Sequence, residues 1–284
     1  MLHADCRLCY QEIVTAGSRV LTSRARFGHR ALAVLLAVFW GYLFYGIIDL
    51  LVFLQGPKFH QSFHLETGWG LFFLFMVGAP LVAVAVAPSR FAPTLPQQLL
   101  LGAVAVAVAA ALSASPKHLL VTVGLAATAG LMAPVSGGLR AILTPPRGWH
   151  WGPGVLVLAA AGPWFAYALA ATDKARSGFH ASKTAGLNHW PVQAALAIAL
   201  VLVAALAATS TAGRLVAAWC VGVCSAWLGA ASWIYPELDA SLGRSWGVAA
   251  LAWGIAFVVL THLSAGGRWP RRLAASPDGS KPGC

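Results

Sequence analysis

Eight apolar runs, each about as long as a bilayer is thick, fill most of this chain, and Asp49 is the one acidic residue inside any of them. They fall at residues 31–54, 69–88, 96–114, 117–136, 154–171, 191–211, 214–235 and 244–263. A helix needs about 20 apolar residues to cross roughly 30 Å of hydrocarbon. The runs are continuous rather than alternating, so they do not read as strands of a membrane β-barrel. In lipid the backbone must then be satisfied inside helices. The expectation is an all-α, polytopic membrane bundle of about eight transmembrane helices. The weakest divide is Ser113 to Lys117, where Pro116 and Lys117 make a tight turn credible. Composition agrees: 59% of the 284 residues are hydrophobic and 10% charged, against about 25% charged in a soluble domain.

The formal net charge of +11 is strung between the apolar runs rather than gathered on one face. That distribution argues against nucleic acid as a partner and for the bilayer, with anionic headgroups on the cytoplasmic side. With the N-terminus cytoplasmic, the inner segments hold 13 Lys and Arg and the outer loops 6, accounting for all 19. Cytoplasmic loops carry such an excess, and an even number of spans returns the C-terminus to the same side. Trp69, Trp190, Trp233 and Trp246 fall at the outer boundaries, as an aromatic belt does. No cleavable signal peptide is evident, because the first apolar run starts near Ala31 and is too long for a signal core. Abundant alanine, with arginine favoured over lysine, points to a bacterial cytoplasmic membrane. Residues 1–28 and 266–284 read as basic disordered tails around a membrane domain at 29–265. Phe59-His60-Gln61-Ser62 before Trp69 is echoed by Phe179-His180-Ala181-Ser182 before Trp190, which suggests a parallel 4+4 repeat.

Polar chemistry collects on the outer face. His60 and His64 stand four residues apart in the first outer loop, so on a helical turn they share a face. With Glu66 they can offer three ligands to a divalent metal, the one cofactor the sequence suggests. The alternative is an amphipathic segment on the outer leaflet with its Phe side chains inserted and its His side chains in water. Asp49 lies near the outer end of the first run, where a carboxylate should face the bundle and find a partner. His189 opens the sixth run. The last outer loop supplies Glu237, Asp239 and Arg244, either as surface ion pairs or as members of a shared outer cleft with the histidines.

Other motifs are structural in this reading. Cys220 and Cys224 stand one turn apart, and Gly222, Gly229, Gly247 and Gly254 are spaced by seven along the last two runs, a pattern that serves helix packing. His3, Cys6 and Cys9 form half a metal motif without a second pair. Neither a phosphate-binding loop, a GxSxG elbow nor an HExxH motif is present. Three function classes follow. The foremost is a scaffold or accessory membrane protein, favoured by the scarcity of buried charge. The second is a small-solute carrier using Asp49. The third is an enzyme with an outer-leaflet site built from His60, His64, His189 and the loop carboxylates.

Overall fold

A computed structural model describes residues 23–51, 54, 61–87, 93–146, 148–179, 183–184, 186–210 and 212–265. His60, Cys6, Cys9, the histidines of both Phe-His motifs and most of the two expected tails lie outside the described residues. The described chain is a helical membrane bundle. In order it runs α1 (Ser23–Val38, continued by a π-helical turn Phe39–Leu43), α2 (Gly46–Leu50), α3 (Phe63–Val86) and α4 (Thr94–Leu112). Then come α5 (Lys117–Leu131), α6 (Leu139–Leu143), α7 (Trp151–Ser177), α8 (Trp190–Thr209), α9 (Arg214–Ile234) and α10 (Gly243–Ser264). Between α7 and α8, Lys183–Thr184 pairs antiparallel with Leu187–Asn188, a two-residue ladder in an otherwise helical chain.

Six of these helices, α3, α4, α7, α8, α9 and α10, are long and apolar enough to cross a membrane, where the sequence suggested eight. The other two expected spans form shorter apolar helices, Phe27–Leu43 and Lys117–Leu131. The first run breaks because the chain turns at Tyr45, which takes a left-handed conformation (φ 65°). Gly46 permits the reversal: a Cβ there would meet the Gly41 carbonyl oxygen at 2.8 Å. Asp49 therefore sits on a separate short helix rather than inside the first span. The fourth run stops at Leu131 and continues as a 3-10 turn, Ala133–Ser136. Pro134 withholds a backbone donor there, and Gly137 and Gly138 follow with φ of 89° and 91°, so the helix cannot propagate. A third correction concerns α3, which starts six residues before the expected second span. His64 and Glu66 lie on its first two turns and not in a loop.

The helices run antiparallel through the bundle, as the polar contacts at its two ends show. One end gathers Trp69, Ser115, His118, His189 and Tyr235. The opposite end gathers Thr94, Gln97, Thr144, His150 and Arg214. The short helix α5 starts at the first end, and the chain beyond it reaches the second at Ala141 and Thr144.

α8 forms the centre, with Val192, Leu196, Leu200 and Val203 among its fully buried side chains. α9 and α10 pack along the glycine seam read from the sequence. A Cβ on Gly229 would lie 2.5 Å from the Gly247 carbonyl oxygen, and one on Gly254 would lie 2.7 Å from that of Gly222. Such close approach lets Ser225 donate to the Ala250 carbonyl at 2.7 Å between helices. α1 is tied in by aromatic contacts. Trp40 stacks on Phe73 (5.6 Å between centroids, 8° between planes), and its indole N–H donates to Thr128 at 3.0 Å.

Candidate functional site

The last residues before α8 build the site. Asn188 accepts the Trp190 backbone N–H through Oδ1 at 3.0 Å in an Asx turn at the helix entry, and Pro191 suits the first turn. This geometry leaves His189 as the N-cap residue, turned inward and 0% exposed. The Trp69 ring meets its imidazole edge-on at 4.6 Å. On the other side stands Asp49, 5% exposed, with Oδ2 3.7 Å from His189 Nε2. Asp49 is held by the close crossing of α2 over α3. A Cβ on Gly70 would come within 2.6 Å of the Leu50 backbone nitrogen.

Two further titratable groups flank the pair. Glu66 interacts electrostatically with Asp49, and its Oε1 accepts the Ser62 hydroxyl at 2.9 Å. His118 interacts electrostatically with His189. Its Nε2–H donates to the Asn188 carbonyl at 2.9 Å, and Nδ1 lies 2.8 Å from the Ser115 hydroxyl. Those contacts suit a neutral imidazole whose Nδ1 accepts. Beneath the pair, Gln193 donates to the Tyr167 hydroxyl at 2.6 Å, which in turn donates to the Ala240 carbonyl at 2.6 Å. Gly68 faces this amide so closely that a Cβ would sit 1.6 Å from Gln193 Oε1.

Of the residues singled out by sequence, the fold brings Asp49, His189 and Glu66 together and separates the rest. His64 is fully buried, correcting the picture of a histidine in water, and its Nε2–H donates to the Tyr235 carbonyl at 2.9 Å. Phe63 packs on Tyr235 (5.4 Å), and the Asp239 backbone N–H donates to the Gln61 carbonyl at 3.2 Å, so the first and last outer segments do meet. Glu237 and Arg244 stand exposed. Among the described residues, no three His, Cys, Asp or Glu side chains come together as a metal site. The cysteines serve packing: both Cys220 and Cys224 are buried, and Cys224 Sγ approaches the Leu71 carbonyl at 3.6 Å.

Sequence reasoning missed His118, Gln193 and Tyr167. His118 follows the Pro116-Lys117 turn and nothing in its neighbours marks it; only the packing of α5 against the α8 entry does. It also missed a second polar cluster at the opposite end. There the Arg214 guanidinium donates to His150 Nε2 at 2.6 Å, and the His150 backbone N–H donates to the Ala208 carbonyl at 2.9 Å. Thr94 donates to the Ala212 carbonyl and Gln97 to that of Thr144. Burial first, then the adjacent guanidinium, holds the His150 imidazole below its ordinary pKa.

No protein-family model, no curated protein and no solved structure matches this chain. The fold itself defines the class, a multi-pass all-α integral membrane protein with a buried carboxylate–imidazole pair at one end.

Proposed function

We propose that this chain is a scaffold or accessory protein of a bacterial cytoplasmic membrane, with both termini in the cytoplasm. The observation that carries this reading is the packing around its most reactive groups. Asp49 and His189 lie where glycines bring backbones into contact at Gly70 and side chains into contact at Gly68. A carrier needs room for a solute beside its ionisable element, and close packing of this kind supplies none. The pair then acts as a polar latch. It fixes α2 and the start of α8, with Trp69 of α3 wedged against the imidazole. At 3.7 Å the two side chains are in polar contact without a hydrogen bond, so removing Asp49 costs the packing and polar contact between α2 and the start of α8 rather than a hydrogen-bond partner.

One observation favours a second reading. Glu66, Asp49, His189 and His118 form a file of titratable groups, and ionisable groups at membrane depth mark proton and ion pathways. In that reading the protein is a proton-coupled carrier. Proteoliposomes carrying a trapped pH dye separate the two. For the scaffold, wild type and Asp49→Asn are equally proton-tight under an imposed pH gradient, while Asp49→Asn unfolds at lower temperature in detergent. Proton flux through the wild type that Asp49→Asn abolishes would replace the scaffold reading with the carrier.

A further inference from the structure

A groove of about 340 Å³ opens on the lipid-facing side between α1 and α3, with Ile47 of α2 at one end. Val34, Ala37 and Gly41 form its α1 wall, and Val82, Ala85 and Val86 line the opposite side. In water such an apolar slot would be a liability; in a bilayer it faces acyl chains. Its floor is low because Ala37 and Gly41 stand one turn apart, small residues that keep side chains out of the gap. The Ser23–Val38 part of α1 packs against Ala79–Val86 at the end of α3, so both walls run toward the same end of the bundle.

One turn beyond the lining, on the same face of α1, the sequence carries a cation. Arg30 precedes Val34 by four residues, Ala37 by seven and Gly41 by eleven, which puts all four on one stripe of α1. Arg30 is exposed, and the sequence places Arg26 four residues before it. The groove residues themselves are all uncharged. An apolar slot ending in an arginine at headgroup level matches one common shape, a hydrocarbon tail ending in a phosphate. A transmembrane helix fits less well, since it presents no anion at that level and needs about 8–10 Å between axes.

We infer that this groove holds one acyl chain of an anionic phospholipid, with Arg30 binding its phosphate. Tail contacts alone give little preference inside a bilayer, because lipid is as apolar as the wall. Selectivity therefore comes from the headgroup. A single cation near a membrane surface favours an anionic lipid by about fivefold.

The test uses the full chain in detergent micelles supplied with equal amounts of phosphatidylglycerol and phosphatidylcholine of identical tails, read by native mass spectrometry. The wild type is expected to retain one lipid, with phosphatidylglycerol preferred by about fivefold. Arg30→Gln should keep a bound lipid and bring the ratio close to one. Val82→Trp fills the slot from an exposed wall position without touching the core, and should remove both lipids while the protein keeps its melting temperature. Ala37→Phe provides a second filling variant from the opposite wall. Equal retention of the two lipids by the wild type would overturn the proposal, as would a preference that survives Arg30→Gln or lipid retention unchanged in both filling variants. A dimer that Val82→Trp dissociates would assign the groove to a second copy instead.

Discussion

His150 and His189 both stand immediately before a long helix, yet their surroundings set them different tasks. His189 is sealed against Trp69 and Asp49, whereas His150 is half-buried and accepts a hydrogen bond from Arg214. A protonated imidazole cannot accept that bond and would place two cations 2.6 Å apart. The folded state therefore favours neutral His150, with a pKa below the ordinary value of about 6.5. A histidine lowered on folding contributes stability that is fully present above the unfolded value. That contribution is lost as pH falls below about 6.5 toward the folded pKa. Melting temperature in detergent should accordingly drop between about pH 7.5 and pH 5, and His150→Gln should flatten this part of the profile. His150→Ala at about pH 7.5 should cost at most about 1.5–3 kcal/mol, the range for a hydrogen bond to a charged group. A profile unchanged by His150→Gln would show that the Arg214 contact does not discriminate between the protonation states.

Glycine does opposite things in different elements, and the distinction depends on what lies across from it. At Gly229 the facing group is backbone: a methyl group there would stand 2.5 Å from the Gly247 oxygen, so α9 and α10 must part to admit any side chain. Gly229→Ala is expected to destabilise the bundle by about 1–3 kcal/mol through overpacking. Gly28 in α1 meets nothing within 4 Å and is exposed. Gly28→Ala should therefore be stabilising by about 0.5–1 kcal/mol, since alanine loses less backbone freedom in a helix. Thermal unfolding of both variants in one detergent checks the pair; equal effects would mean that the seam is not in contact. The seven-residue glycine spacing makes this seam legible in the sequence. The break at Tyr45 is not legible, because the apolar run continues through it. Only the Gly41–Gly46 backbone contact distinguishes one long helix from a helix, a turn and the short α2.

For the molecule as a whole, the two polar clusters define its ends, and the basic residues between the runs predict which end faces the cytoplasm. On that prediction the Arg214–His150 cluster faces the cytoplasm and the Asp49–His189 pair faces outward. Single cysteines at Glu237 and Leu139, both exposed, test this with a membrane-impermeant maleimide. Cys6, Cys9 and Cys284 are replaced by serine, while Cys220 and Cys224 are buried and stay silent. In intact cells Glu237→Cys should label and Leu139→Cys should label only after permeabilisation. The reverse pattern would invert the orientation, and labelling of both from one side would break the antiparallel threading.

The sequence by itself determined the class and much of the threading, because apolar length, loop charge and glycine spacing act locally along the chain. The candidate site was half legible. Asp49 and His189 stand out by type and position in the sequence. Their separation of 140 residues hides that they meet, and His118 carries no local mark at all. Tertiary structure alone decided that pairing, the burial of His64 against Tyr235, and the close packing around Asp49. Each depends on which helix faces stop against which, and that is fixed by steric fit between segments far apart in the chain.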